Sequence, residues 1–310
     1  MPKEKVKVIT VVGPTASGKT AFAAQLAARI GAEIISGDSR QVFRGMDLGT
    51  GKDLEEYVVN GKQVPYHLID IRDAGEKYNV AEFHRDFFCA LEEIRAGNRP
   101  AILCGGTGMY IESVLGGYDQ VWIPKNTELR AKLCDYTQKE LIYYLDELKQ
   151  HKELKDRENR RRVVRAIEIN EYFKNHPEDL VRENNRPEIE PVIFGLSIDR
   201  ENRREKISSR LRRRMEEGML DEVSGLLSQG VAAEDLIYYG LEYKWVTLHV
   251  IGKISLEEMF EKLERNIHQF AKRQMTWFRG MERRGYSIHW IDALQPMEAK
   301  LEEALKLLER

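Results

Sequence analysis

Eight residues, Gly13-Pro14-Thr15-Ala16-Ser17-Gly18-Lys19-Thr20, constrain this chain more than any other stretch. They follow the apolar run Val6 to Val12 and lead into Thr20-Ala21-Phe22-Ala23-Ala24-Gln25-Leu26-Ala27, so the spacing G-x-x-x-x-G-K-T falls between a strand composition and a helix composition. That is the context a P-loop needs. Glycine lets the chain curl until successive backbone N–H groups point inward, and the helix N-terminus adds its own free N–H groups and positive dipole end. The partner is therefore a phosphate-bearing molecule, with Lys19 reaching its terminal phosphate and Thr20 positioned to hold Mg²⁺.

The rest of the chain repeats the alternation. Glu33-Ile34-Ile35-Ser36 reads as a strand delivering Gly37-Asp38-Ser39-Arg40-Gln41-Val42-Phe43 to the edge that carries the P-loop, the edge where open α/β sheets bind ligands. Pro65 to Ile71 reads as a further strand, Asn79 to Glu82 as a capped helix start, and Arg99 to Cys104 as a strand running into the glycine turn Gly105-Gly106-Thr107-Gly108. From Pro124 to Pro191 there is no strand signal, and three helical segments stand there instead. Strand signal returns at Val192 to Ile198, followed by helices over Arg200–Gln229 and Leu256–Gly280, a strand over Tyr286–Ile291 and a closing helix. The expected fold is α/β: a P-loop parallel sheet flanked by helices, with an inserted all-helical domain. Residues 1–123 and 191–310 form the catalytic core and residues 124–190 the insertion.

Charge narrows the function. The 310 residues carry 32% charged side chains and a net charge of -2, so any nucleic-acid footprint is local. No segment approaches the length of an apolar membrane span, and the charged N-terminus runs directly into the first strand, so a cytoplasmic protein acting as a monomer is expected. Cys89, Cys104 and Cys134 show no metal or redox spacing and read as reduced, buried thiols.

Asp38, at the end of the strand next to the P-loop, is suited either to bind Mg²⁺ or to take a proton from a nucleophile; a helix-capping aspartate is the plainer alternative. Asp70, at the end of a strand of mixed composition, competes for the first role. Arg161, Arg162 and Arg165 cluster with Arg157 and Arg160 on one helix of the insertion, and Lys272 and Arg273 precede Trp277-Phe278-Arg279. Each group is able to track phosphates. The basic run Arg200 to Arg214, with Ile207, Leu211 and Met215 at helical spacing, reads as a solvated helix face.

Taken in order, the P-loop, Asp38-Ser39-Arg40-Gln41-Val42-Phe43-Arg44-Gly45-Met46-Asp47-Leu48-Gly49-Thr50-Gly51-Lys52, Gly105-Gly106-Thr107, Arg162-Val163-Val164-Arg165-Ala166-Ile167-Glu168 and Ala271-Lys272-Arg273-Gln274-Met275-Thr276-Trp277-Phe278-Arg279-Gly280 resemble the bacterial tRNA dimethylallyltransferase family across almost the whole chain. The resemblance implies that the P-loop (Gly13, Pro14, Thr15, Ala16, Ser17, Gly18, Lys19, Thr20) holds dimethylallyl diphosphate with Mg²⁺ in place of ATP. It further implies that Asp38 is the general base for N6 of adenosine 37 and that Thr107 donates near the leaving oxygen. Asp38, Ser39, Arg40 and Gln41 would then lie against the tRNA anticodon stem-loop. Arg161, Arg162 and Arg165 on the insertion, with Lys272, Arg273 and Arg279, are further expected tRNA contacts. The sequence departs from the family at Ile237 to Lys244, with Ile237 where an arginine is common and Leu241 where a tyrosine stands. The residues alone leave open prenyl transfer to a free adenine nucleotide, a P-loop kinase acting with ATP, and a nucleotide-switch RNA-binding protein.

Overall fold

The computed structural model describes residues 4–116, 123, 125–148, 154, 156–179 and 187–309. The expected boundary at Pro124 falls outside them. Of the three cysteines expected to be buried, Cys104 is, while Cys89 and Cys134 are exposed. Two compact units divide the chain, one formed by Met1–Val6 with Tyr118–Glu188 and the other by Lys7–Gly117 with Ile189–Arg310.

The larger unit is built on a six-stranded sheet of order β5-β2-β6-β1-β7-β8. Its strands are β1 (Lys5–Val12), β2 (Glu33–Ser36), β5 (Tyr66–His67), β6 (Ala101–Gly105), β7 (Glu188–Ser197) and β8 (Ile288–Asp292), while β3 (Val58–Val59) and β4 (Lys62–Gln63) form a separate antiparallel pair. The β2–β5, β2–β6, β1–β6 and β7–β8 pairs are parallel. Val8, Val11, Val12, Ile34, Ile35, Ile102 and Leu103 are buried, as strands covered on both faces require. Helix α1 (Lys19–Ile30) buries Phe22, Ala23, Ala24, Leu26 and Ala27, and stops at Gly31, whose φ of 68° only glycine adopts without strain. Helix α2 (Val80–Ala96) starts with a complete capping box between Asn79 and Glu82.

The expected strand Pro65–Ile71 is shorter than its composition suggests. Leu68 and Asp70 take φ of 63° and 55°, which breaks the pleat after His67. The chain then follows the Gln41 to Phe43 segment instead: Asp70 N–H donates to Gln41 O at 3.1 Å and Ile71 N–H to Val42 O at 2.9 Å. Lys52 holds this turn from within, its ammonium donating to Phe43 O at 2.7 Å, to Asp47 Oδ1 at 2.6 Å and to Asp70. Asp70 is thereby an anchor of the loop.

The single helix expected over Arg200–Gln229 is two. Helices α7 (Arg200–Glu216) and α8 (Met219–Ser228) meet at Gly218, whose φ is 102°. Two helices absent from the sequence reading follow, α9 (Ala233–Tyr239) and α10 (Leu241–Val250). Helix α11 (Leu256–Arg283) buries Met259, Leu263, Ile267, Ala271, Gln274, Phe278 and Met281 along one stripe, and α12 (Met297–Leu308) closes the unit.

The smaller unit contains α4 (Thr127–Leu133), α5 (Gln138–Glu147) and α6 (Arg160–Asn175) around Leu133, Leu141, Leu145, Val163 and Ile167. Its polar centre is Glu168, fully buried, which accepts two bonds from Arg130 at 2.6 and 2.8 Å and one from the Asn126 N–H at 3.0 Å. Burial alone would raise this carboxyl, but the hydrogen bonds from Arg130, the Asn126 N–H and Arg165 outweigh it and hold Glu168 below the usual glutamate range.

Candidate active site

The P-loop spans the end of β1 and the start of α1. Ala16 (φ 63°) and Gly18 (φ 78°) turn the backbone, and Ser17 N–H closes the turn on Pro14 O at 3.3 Å. Gly13 has no room for a side chain, since a Cβ there would lie 2.7 Å from Ser17 Oγ and 3.2 Å from Leu196 O. Ser17 Oγ is buried without a hydrogen-bond partner among the described residues.

A second support comes from the far end of the chain. Gln274 interrupts the apolar stripe of α11, and a buried amide is costly unless paired. Its Oε1 accepts the Thr15 N–H at 2.8 Å and its Nε2 donates to Gly106 O at 3.0 Å. One side chain thus ties the P-loop to the glycine turn after β6. One turn further along α11, Trp277 lies where a Cβ on Gly108 would sit, 2.3 Å away, and its Nε1–H donates to the buried Glu112 at 2.9 Å. Arg284 closes the same carboxylate with bonds from Nε and Nη2.

These elements border a cavity of about 890 Å³, within the range of small-molecule sites. Thr15, Ala16, Gly18, Lys19 and Thr20 line it on one side, Asp38, Ser39, Arg40, Gln41 and Thr107 on another. Asp38 Oδ1 accepts the Arg40 N–H at 2.8 Å, which shapes its own loop and leaves Oδ2 without a hydrogen bond among the described residues. Thr107 Oγ1 accepts the Ser39 N–H at 3.3 Å, leaving its hydroxyl hydrogen to donate. Gln41 is held by Ser36 Oγ at 2.9 Å and by Gly51 O at 2.9 Å.

The electrostatics are those of an anion site. Burial pushes the Lys19 ammonium down while Cys104 and Asp38 pull it back up, and Arg210 is brought down to about 10 by burial and by Arg214. Arg210, Lys206 and Arg213 line the cavity together with Arg273, and Arg210 donates to Thr15 Oγ1. The run Arg200 to Arg214 is therefore more than a solvated face. Its buried stripe is Ile207, Leu211 and Arg214 instead of Ile207, Leu211 and Met215, one position away from the pattern read in the sequence. Arg214 packs where Gly51 lacks a side chain and donates to Asp53 at 3.1 and 3.2 Å. Gly51, within the motif, and Asp53, just beyond its end, were the signal for it.

Helices α9 and α10 supply the remaining wall, with Tyr239, Gly240, Leu241, Glu242, Tyr243, Lys244 and Trp245 on the cavity. Leu241 has φ of 41°, a left-handed conformation that costs a non-glycine residue about 1–3 kcal/mol and marks a position fixed by its surroundings. Glu222 clamps the opposite loop, accepting the N–H groups of Asp47 (2.8 Å), Leu48 (2.7 Å) and Gly49 (3.1 Å), and the Tyr243 hydroxyl at 2.6 Å.

The other expected contacts are placed differently. Lys272 and Arg279 are exposed on α11 and do not line the cavity. Arg161, Arg162 and Arg165 belong to the smaller unit. Arg165 donates to Ile123 O at 2.6 Å and to Glu168 at 3.3 Å, Arg162 pairs with Asp156 at 2.9 Å, and the Arg161 guanidinium is exposed with no partner among the described residues.

The chain matches the family described as IPP transferase over residues 41–281. It is 58% identical over 305 residues to tRNA dimethylallyltransferase 2 of Phocaeicola vulgatus, covering 98% of each chain. It is 53% identical over 300 residues to tRNA dimethylallyltransferase 1 of Porphyromonas gingivalis, covering 97% of this chain and 98% of the relative. Among solved structures, the tRNA isopentenylpyrophosphate transferase of Bacillus halodurans aligns with a TM-score of 0.69 at 32% identity over 98% of this chain and 95% of that one. A eukaryotic dimethylallyltransferase acting on tRNA shares the fold, with a TM-score of 0.71 at 23% identity over 93% of this chain and 74% of that one. A family match that spans the Asp38 loop's glutamine and all of the Gln274 helix turn, joined to relatives that align from end to end, leaves one assignment: the chain belongs to the IPP transferase family.

Proposed function

We propose that this protein is a tRNA dimethylallyltransferase, moving a dimethylallyl group from dimethylallyl diphosphate to N6 of adenosine 37. The observation that carries the reading is the presence of the P-loop cations and the Asp38 carboxylate on one cavity wall system. An exocyclic amine is a weak nucleophile, so the donor must supply a good leaving group and an allylic carbon that tolerates positive charge. N6 attacks C1 of the dimethylallyl group, the C1–O bond breaks, and pyrophosphate departs with the bonding pair. Lys19 and Arg210 stabilise that developing charge, and Thr107 is the donor for the bridging oxygen. Asp38 takes the N6 proton. The target base must leave its stack to enter the cavity.

The oxygen donors beside the P-loop fit Mg²⁺, which prefers hard oxygen ligands and a shared phosphate. Thr20 would hold the ion, which when bound neutralises pyrophosphate charge.

Direct titration tests the donor assignment. The thiolo analogue of dimethylallyl diphosphate should bind the wild-type protein and lose affinity in Lys19→Ala, with ATP binding weakly to both. ATP binding tighter than the prenyl analogue would overturn the reading in favour of a kinase.

A further inference from the structure

The larger unit exposes one aromatic ring among its exposed large apolar side chains, within the described residues: Tyr238, at 61%. It is the last residue but one of α9, and its chain neighbour Tyr239 lines the cavity. The two rings meet edge-on with centroids 6.3 Å apart. Tyr239 is fixed: its hydroxyl donates to Glu76 O at 2.7 Å and accepts the Gly75 N–H at 2.7 Å, and the Arg40 guanidinium lies 5.4 Å from its centroid. On Tyr238 itself, the Lys77 ammonium lies 5.6 Å from the ring centroid.

An exposed aromatic face next to a lysine is the arrangement that proteins use to seat an unpaired base while its phosphate meets the cation. A base extruded into the cavity leaves its neighbours in the strand without their stacking partner, and they need a replacement surface close to the entrance. We propose that Tyr238 and Lys77 form a shelf on which a nucleotide adjoining the target adenosine stacks, its phosphate against Lys77. This rests on the transfer to tRNA proposed above. It assigns a role to the Ile237 to Lys244 segment, where the sequence departs from its family.

The test uses the full chain and an anticodon stem-loop. Tyr238→Ala should raise the stem-loop KM by about 5- to 100-fold, the worth of one base–aromatic stack, while donor affinity stays at the wild-type value. Tyr238→Phe, which keeps the ring, should stay within about twofold of wild type. An unchanged KM in Tyr238→Ala, or a loss of equal size in Tyr238→Phe, would overturn the shelf. Should Tyr238→Ala melt below wild type, photocrosslinking of the wild-type protein decides: a stem-loop with 4-thiouridine beside the target should yield an adduct on Tyr238, and adducts confined to other residues would overturn the proposal. Failure of the wild-type protein to prenylate the stem-loop at all is a separate readout, and it would overturn the transfer reading instead.

Discussion

Gln274 and Thr15, 259 positions apart in the chain, are joined by a 2.8 Å hydrogen bond that fixes the P-loop from α11. The same amide reaches Gly106, so its loss orphans a buried N–H and a carbonyl together. Gln274→Leu should cost about 1–3 kcal/mol of stability and weaken donor binding, because the loop is no longer pre-shaped. Thermal melting and donor titration check both. A variant with wild-type donor affinity would separate the helix from the phosphate site.

Asp38→Asn keeps the shape of the side chain and removes its basicity. Turnover should fall by about 10²–10⁴-fold with donor affinity nearly unchanged. Single-turnover rates on tRNA give the measurement, and turnover equal to wild type would take the proton-acceptor role away from Asp38.

The arginines of α6 divide by their surroundings. Arg165 is spent on Ile123 O and Glu168, so Arg165→Ala should lower the melting temperature. Arg161 is exposed, and Arg161→Ala should leave the melting temperature alone and reduce the log–log salt slope of tRNA binding by roughly 0.7–0.9. The opposite assignment of effects would reverse the roles.

Glu242 offers a pH test. Burial raises its carboxyl above 4.5, against the pull of Arg214 and Arg210 and with the push of Asp38. The folded chain therefore keeps this proton to a higher pH than the unfolded chain does, and stability falls as pH rises through that window. Glutamine has no proton to lose. The melting temperature of Glu242→Gln relative to wild type should increase as the pH rises above 4.5, and a pH-independent difference would contradict it.

The P-loop, the parallel sheet and the Asp38 loop were legible because glycine spacing, strand composition and a loop at the sheet edge are local signals. What was not legible depended on distant partners. Arg214 occupies a core position because Gly51 and Asp53 receive it, and a periodic pattern assigned that place to Met215. No helix is legible over Ala233–Val250, where two stand, joined at Gly240. Gln274 was visible as a motif letter, but its role appears only where the stripe of α11 meets Thr15 and Gly106. A polar residue at a core-facing position of an amphipathic helix was the available clue.

The central claim is tested most directly by mass spectrometry of nucleosides from unmodified tRNA incubated with the protein and either dimethylallyl diphosphate or ATP. The account predicts N6-isopentenyladenosine and released pyrophosphate with the prenyl donor alone. Phosphoryl transfer from ATP, with no prenylated adenosine, would contradict it.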